Sequence, residues 1–463
     1  MYKTNTHKPK KLDFDVIVIG SGAGGAVAAH LAASDGKKVG LIESSQIGGK
    51  GTITGSIATK ALLQSAIALD NVLTANKFGI RASGVSYNYR SIQAWKDKVV
   101  SATGINDEFK AFKSEGIVLI KGNAQILDRW TVNVGLRRYT TNNFLIATGS
   151  RPNVPKIPGL MATGFITNRE ATHLLRLPKS ILIIGGGGIA YEFSQIFAAF
   201  GTRVHIIEQK NHILPNTDYE VGDIAEYLLE NKGIKVLTSS KIINISSIQG
   251  KKITTFIQHD QQHRIATEEI LVASGICPNT DLGLENIGVQ YDASGIEVNR
   301  FMRTNIKNIF ASGDVLGKNI STQAAIQEGR IAIHNMFHKK QVSLNYHAIP
   351  QCYYGKPEIT IIGVNENELK NKGLPYQTAI AQIGILGKSI TSNYSSGFVK
   401  IIASHSGIVL GASVVAPEAS EISQELTFAI QHHHHACDLA NTLHPFPSWN
   451  EAIRVAANKI KCS

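Results

Sequence analysis

The chain has 463 residues, 43% of them hydrophobic, which is ordinary for a globular protein and long enough for about three domains. Lys+Arg of 47 against Asp+Glu of 35 gives a net charge of +12. Beyond a short run at Lys8, Lys10 and Lys11 the basic residues are scattered, and no aromatic-basic motif accompanies them, so no nucleic acid partner is expected. The excess charge would instead favour anionic dinucleotides.

In chain order, residues 1 to 13 read as a polar tail. Asp15 to Ile19 is a continuous β-branched run and so a buried strand. It ends at Gly20-Ser21-Gly22-Ala23-Gly24-Gly25, followed by an Ala-rich helix and a second strand from Lys38 to Ile42. Glu43 closes that strand, 23 residues after Gly20. Gly20 permits a tight turn, Gly22 lets backbone approach a pyrophosphate, Gly25 lets helix and strand pack closely, and the carboxylate suits a ribose hydroxyl pair. Ile57 onward is an Ala- and Leu-rich helix, Asn88 to Lys113 a charged helical stretch, and Gly116 to Val134 a set of strands at the domain edge.

The same pattern returns. Ser180 to Ile184 is a strand, Gly185-Gly186-Gly187-Gly188-Ile189-Ala190 a glycine turn, and Glu208 ends the next strand 23 residues after Gly185. Two such units fit one flavin and one nicotinamide. A carboxylate at Glu208 accepts from the free 2′-hydroxyl of NAD(H) and repels a 2′-phosphate. Ala190 as the third small residue points the other way, but the charge is the stronger term, so NAD(H) is expected over NADP(H).

Glu43 to Ala66 reads ESSQIGGKGTITGSIATKALLQSA. With the two dinucleotide units, this stretch resembles the active-site segment of the flavin-dependent pyridine nucleotide–disulfide oxidoreductases, the family of dihydrolipoamide dehydrogenase, glutathione reductase and mercuric reductase. Gly48, Gly49, Lys60, Ala61 and Leu62 match its pattern; Gly51 and Ser56 stand at its two redox-cysteine positions. Phe144 to Pro152, containing Thr148 and Gly149, resembles the second flavin fingerprint. Phe310 to Val315, containing Gly313 and Asp314, resembles the third, whose Asp binds the ribityl chain. Ile270 to Thr280, containing Gly275, resembles the closing strand of the nicotinamide domain, and residues from about Tyr346 resemble the dimerisation domain.

The resemblance implies an α/β fold of glutathione reductase type, with two Rossmann-like domains and an α+β dimerisation domain. The expected division is FAD-binding over 1–150 and 282–345, NAD(P)-binding over 151–281, and dimerisation over 346–463. It implies FAD and NAD(H) as cofactors and a homodimer. It places Lys60 beside the flavin, paired with Glu192, and a catalytic His–Glu pair near the end of the chain. There Glu451 is retained and Phe446 stands where the His is expected, with His444 two residues before it. Gly188 stands where relatives often carry a Tyr that gates the nicotinamide pocket.

Thiol exchange needs a thiolate, so the expected enzyme takes hydride from NADH and passes electrons to a small non-disulfide acceptor, a quinone or a dye. The alternatives are a dihydrolipoamide dehydrogenase-like or soluble transhydrogenase-like enzyme, and a non-catalytic flavoprotein subunit. Cys277, Cys352, Cys437 and Cys462 are far apart with no Cys-x-x-Cys pair. No disulfide framework or zinc site is therefore expected, which suits a reducing compartment. The consecutive His432 to His435 read as solvated imidazoles at a helix end, and no metal site is assigned. No apolar stretch reaches the roughly 18 residues of a membrane span, and charges in the first 15 positions disfavour a signal peptide, so a cytoplasmic protein is expected.

Overall fold

The computed structural model describes residues 8–49, 51, 55–104, 107–318 and 320–462. The expectation for the tail at residues 1–7 lies outside the described residues. The chain forms two compact units: residues 1–58, 94–153 and 275–344, and residues 59–93, 154–274 and 345–463.

The first unit is built on a parallel sheet with Phe14–Ile19 at its centre, between Val39–Glu43 and Arg137–Ile146. Ile17, Val18 and Leu41 are fully buried, as a β-branched strand covered on both faces requires. Ile309–Ala311 returns late in sequence to pair in parallel with Arg137–Ile146. Two helices, Ala23–Ser34 and Thr322–Phe337, cross at backbone contact. A Cβ on Gly24 would lie 2.6 Å from the Ala325 carbonyl oxygen, and one on Gly329 would lie 2.3 Å from the Gly24 oxygen. Glycine is required there by space alone.

The second unit repeats the scheme in a four-stranded parallel sheet, with Ser180–Ile184 between Arg203–Ile207 and Glu269–Val272. A five-stranded antiparallel sheet follows, in the order Gln351–Tyr353, Glu358–Gly363, Val409–Ala416, Phe398–Ser404, Tyr376–Gln382. Its strands alternate poorly because both faces are covered: Val399, Ile401, Val414 and Val415 are all fully buried. One core cluster joins Leu62, Leu63 and Ala66 to Ile181, Phe193, Phe197 and Tyr353. This is why residues 59–93, grouped with 1–150 in the sequence reading, lie in the second unit. The helix Ser56–Leu73 turns its apolar stripe toward the nicotinamide-type sheet. Cys277 lies in the first unit, on a short strand paired with Ser150–Pro152.

The expectation about cysteines needs correction. Cys437 and Cys462, 25 residues apart, form a disulfide with a Cα–Cα distance of 6.3 Å. Sequence spacing could not show it, because the two meet only after the helices Ala436–Asn441 and Glu451–Ala457 pack on the same sheet. The bridge removes one argument for a reducing compartment. It also closes a loop whose restriction of the unfolded chain is worth about 3.5 kcal/mol in the chain-entropy account. Cys462→Ser should lower the thermal midpoint by several degrees, and reductant should do the same to the unmodified protein. An unchanged midpoint in both would show that the Gln377 bonds to the Lys461 backbone, 2.9 and 3.0 Å, hold the end of the chain unaided.

Candidate functional site

The first glycine turn is shaped for a dinucleotide. Gly20 has φ +104°, and a Cβ there would lie 2.3 Å from the Ala147 oxygen. A Cβ on Gly25 would lie 1.9 Å from the Gly20 oxygen. Gly22, by contrast, has no atom of the described residues within 4 Å of the place a Cβ would take, so the backbone at the helix start is open there. Gly49, φ +73°, rests its backbone on Gly22, and the Gly48 amide donates to the Ser21 hydroxyl. The Glu43 carboxylate accepts from the Ser21 amide and hydroxyl at 2.9 and 2.8 Å and from the Ser45 amide at 2.7 Å. Burial would raise its pKa, but these donors outweigh burial and hold it below the usual carboxylate range.

Asp314 is the opposite case. Burial pushes its pKa up, and the Ser150 hydroxyl at 2.9 Å opposes that only in part. The neighbouring Ser312 hydroxyl is buried with no hydrogen-bond partner among the described residues. A buried carboxylate and an orphaned hydroxyl beside an open glycine turn match the donors and acceptors of a ribityl diphosphate. The first unit therefore fits FAD. Thr148 and Gly149 (φ +64°) form a clasp with Asn279: the Thr148 hydroxyl donates to the Asn279 carbonyl at 2.7 Å, and the Asn279 amide donates to Gly149 at 3.0 Å. Gly275, φ +92°, accepts from the Asn153 amide at 3.0 Å.

Glu328 escaped the sequence reading. It is 1% exposed and accepts the Gly313 amide at 2.6 Å, fixing the turn that carries Asp314. A Glu on the inner face of a helix that otherwise buries Ala324, Ala332 and Ile333 was the available signal.

The second glycine turn repeats the first. Gly185 has φ +103°, with the Ala273 oxygen 2.7 Å from a would-be Cβ, and Gly187 is open. Glu208 accepts the Gly186 amide at 2.6 Å and the Lys210 amide at 2.8 Å. Glu43 and Glu208 thus hold the same position on two turns, each bonded to the residue after the first glycine. Ala190 is buried on the helix Gly188–Ala199. The second unit fits NAD(H).

On that helix, Glu192 meets Lys60 across 132 residues of sequence: the ammonium donates to both carboxylate oxygens, at 2.7 and 2.8 Å. The pair is only part-buried on the lysine side, with 30% and 10% side-chain exposure. Sequence reading missed the third member, Tyr354. The Tyr354 amide donates to Glu192 at 3.1 Å, and the Lys60 ammonium lies 4.6 Å from the centre of the Tyr354 ring. Cys352 is close enough to feel the same charges. Burial pushes its thiol up to about 12, with Glu358 and Glu192 adding to the shift and Lys60 opposing it. A thiol so raised stays protonated near neutrality and is a poor nucleophile.

Gly51 and Ser56 are exposed. A Cβ on Gly51 would meet nothing within 4 Å among the described residues. Ser56 is the first residue of the helix Ser56–Leu73, one turn from Lys60 on the same face. Residues 52–54 lie outside the described residues. Phe446 is 80% exposed. Glu451 serves its own helix start, accepting the Ser448 amide at 3.2 Å. His444 is instead held by Glu425, with Nε2 at 3.0 and 3.1 Å from the two oxygens.

His432 caps the helix Ala419–Gln431, His433 has φ +55°, and His435 precedes the next helix; the His432 and His434 rings lie against Phe428, with centroids 4.4 and 5.6 Å away. Among the described residues, one group has metal-ligand spacing: Asp218, Glu220 and Glu366. Its centre already holds a cation, the buried Lys400 ammonium, which pairs with all three. Burial works against the Glu366 charge, but Lys400 and Tyr376 hold its carboxyl down to about 2.

Residues 14–329 match the pyridine nucleotide-disulphide oxidoreductase family and residues 349–457 its dimerisation domain. The chain is 32% identical over 458 residues to the dihydrolipoyl dehydrogenase of Mycoplasma pneumoniae, covering 97% of this chain and 98% of the relative. It is 32% identical over 456 residues to that of Geobacillus stearothermophilus, covering 96% of each. In fold it resembles the HOCl-induced flavoprotein disulfide reductase RclA from Escherichia coli, solved as a Cu(II) complex, with a TM-score of 0.86 at 24% identity over 97% of this chain and 100% of that one. LpdA from Mycobacterium tuberculosis gives 0.86 at 23% identity, over 96% and 100%. No described helix is long and apolar enough to cross a membrane. The chain belongs to the pyridine nucleotide–disulphide oxidoreductase family and is an enzyme whose cofactors are FAD and NAD(H).

Proposed function

We propose that this enzyme oxidises NADH and reduces a small non-disulfide acceptor, a quinone or a dye, and that the family's redox cysteine pair is replaced by Gly51 and Ser56. The observation that carries the reading is a contrast within one helix. At its start stands the hydroxyl of Ser56, and one turn later stands Lys60 with its ion pair to Glu192 intact. A hydroxyl cannot take part in disulfide exchange, whereas the ammonium remains as a fixed positive charge for negative charge that develops during electron transfer. Lys60 and Glu192 are the proposed catalytic pair, Tyr354 the residue that orients them, and Glu451 a retained element with a local structural contact.

FAD, when bound, supplies the two-electron relay between the nicotinamide and the acceptor. In balance, NADH gives a hydride, the acceptor quinone gains two electrons and two protons, and the second proton comes from solvent. Gly22 and Gly187 leave room for the two pyrophosphates, and Glu43 and Glu208 select the riboses. A homodimer in the cytoplasm is part of the proposal; the Cys437–Cys462 bridge is the observation against that compartment.

The relatives favour a second reading, dihydrolipoamide oxidation. Transhydrogenation and a non-catalytic subunit are further alternatives. An acceptor screen separates them. With FAD-loaded protein and NADH, benzoquinones or dyes should be reduced with turnover, and glutathione disulfide and lipoamide should not. Failure of every acceptor, with flavin that NADH cannot reduce, would point to the non-catalytic subunit.

A further inference from the structure

The segment Tyr353–Pro357 lies lengthwise on the helix Gly188–Ala199. At the helix start, a Cβ on Gly188 would fall 2.5 Å from Tyr353 Cδ1 and 2.9 Å from Cε1. One turn on, Glu192 accepts the Tyr354 amide at 3.1 Å. Beyond it, Gln195 accepts the Lys356 amide at 3.0 Å, and the Tyr191 hydroxyl donates to the Pro357 carbonyl at 2.8 Å. A Cβ on Gly355 would lie 2.3 Å from Gln195 Nε2, so the segment needs glycine there to come this close. The Tyr353 ring is therefore not a free surface side chain. It is 9% exposed, fixed by its neighbours, and seated in space that only glycine at 188 leaves. Gly188 is absent from the residues with positive φ, so it is volume and not backbone conformation that calls for glycine.

Location gives the contact its meaning. Residues 185–188 form the turn that receives a pyrophosphate at a helix N-terminus. Glu208 takes the adenosine ribose on the side of the strand Arg203–Ile207. The nicotinamide half must then leave the turn on the other side. Gly188 and Glu192 are four residues apart and share one face of the helix, and that face carries the Lys60 pair and the Tyr353–Tyr354 segment.

We propose that Tyr353 and Gly188 form a complementary large–small pair that shapes the nicotinamide-side wall of the dinucleotide site, with Tyr353 as a specificity-determining residue. The proposal rests on the NAD(H) assignment of this site. An aromatic side chain brought from the antiparallel sheet supplies bulk that the glycine turn itself lacks. The wall then depends on a residue 165 positions away in sequence, and it can be altered without touching the phosphate-binding backbone.

The test compares two probes by anaerobic titration calorimetry on FAD-loaded protein whose flavin has been reduced beforehand, so that NADH binds without reacting: NADH, and ADP-ribose, which keeps the adenosine, pyrophosphate and both riboses but lacks the nicotinamide. Gly188→Val should drive a branched carbon into the ring and weaken NADH by about tenfold, roughly 1.4 kcal/mol. Tyr353→Val should weaken NADH about fivefold while ADP-ribose stays within about twofold. The double variant Gly188→Val/Tyr353→Val should bind NADH better than Gly188→Val alone, the non-additivity expected of side chains in contact. Flavin content and melting temperature control for folding. If Gly188→Val does not fold, the Tyr353→Val ratio of the two probes decides alone. Parallel loss of NADH and ADP-ribose, or no change in either, overturns the pair. Failure of the unmodified protein to bind both probes would instead overturn the NAD(H) assignment on which the pair rests.

Discussion

Dihydrolipoamide and glutathione disulfide are expected to be inert with the unmodified enzyme, and NADH should reduce its flavin in a single two-electron step without a long-wavelength thiolate band. The cause is local. Position 51 has no side chain and position 56 has a hydroxyl, while Cys352, near the Lys60 pair, is kept protonated by burial. The same two positions are where thiols can be introduced as a test. Among the described residues a Cβ at 51 meets nothing within 4 Å, and 56 begins an 18-residue helix whose N-terminus would favour a thiolate. Gly51→Cys with Ser56→Cys should introduce the band if the two can reach disulfide geometry. Adding Phe446→His, at a side chain 80% exposed, should then raise dihydrolipoamide turnover by about a hundredfold, the scale of one positioned acid–base group. Substantial dihydrolipoamide activity before any change would sink the proposed function and implicate one of the four cysteines present.

The second large effect is on coenzyme choice. NADH should be preferred to NADPH, because Glu208 is 9% exposed and would set a buried carboxylate against a 2′-phosphate. Glu208→Arg should reverse the preference by about a hundredfold or more, roughly 3 kcal/mol. Two causes add: the ribose hydroxyls lose their acceptor, and the phosphate gains a bidentate donor. The Gly186 amide also loses its partner at 2.6 Å, so total affinity should fall even as the ratio inverts. A ratio of kcat/KM values that stays within about threefold would show that Ala190 and the basic surroundings set the choice instead.

The sequence by itself determined the two glycine turns, the acids that close the following strands, and hence a protein with two dinucleotide sites. Those features are contiguous: strand, turn, helix and strand are each specified by residues within a few positions of one another, and the spacing of 23 residues from Gly20 to Glu43 and from Gly185 to Glu208 carries the geometry. Asp314 was expected through the resemblance of Phe310–Val315 to a family fingerprint. What only the tertiary structure decided are contacts between distant residues. Lys60 lies 132 residues from Glu192, and their pairing was expected only through a family resemblance; the Tyr354 amide and ring that complete it had no local signature. The Cys437–Cys462 bridge, the Glu328 bond to Gly313, and the three carboxylates around Lys400 were equally invisible. Periodicity tells a side chain which face of its own element it occupies. Which partner covers that face is fixed by how sheets and helices stack, and here that stacking brings Tyr353 to Gly188, which has no side chain to exclude it.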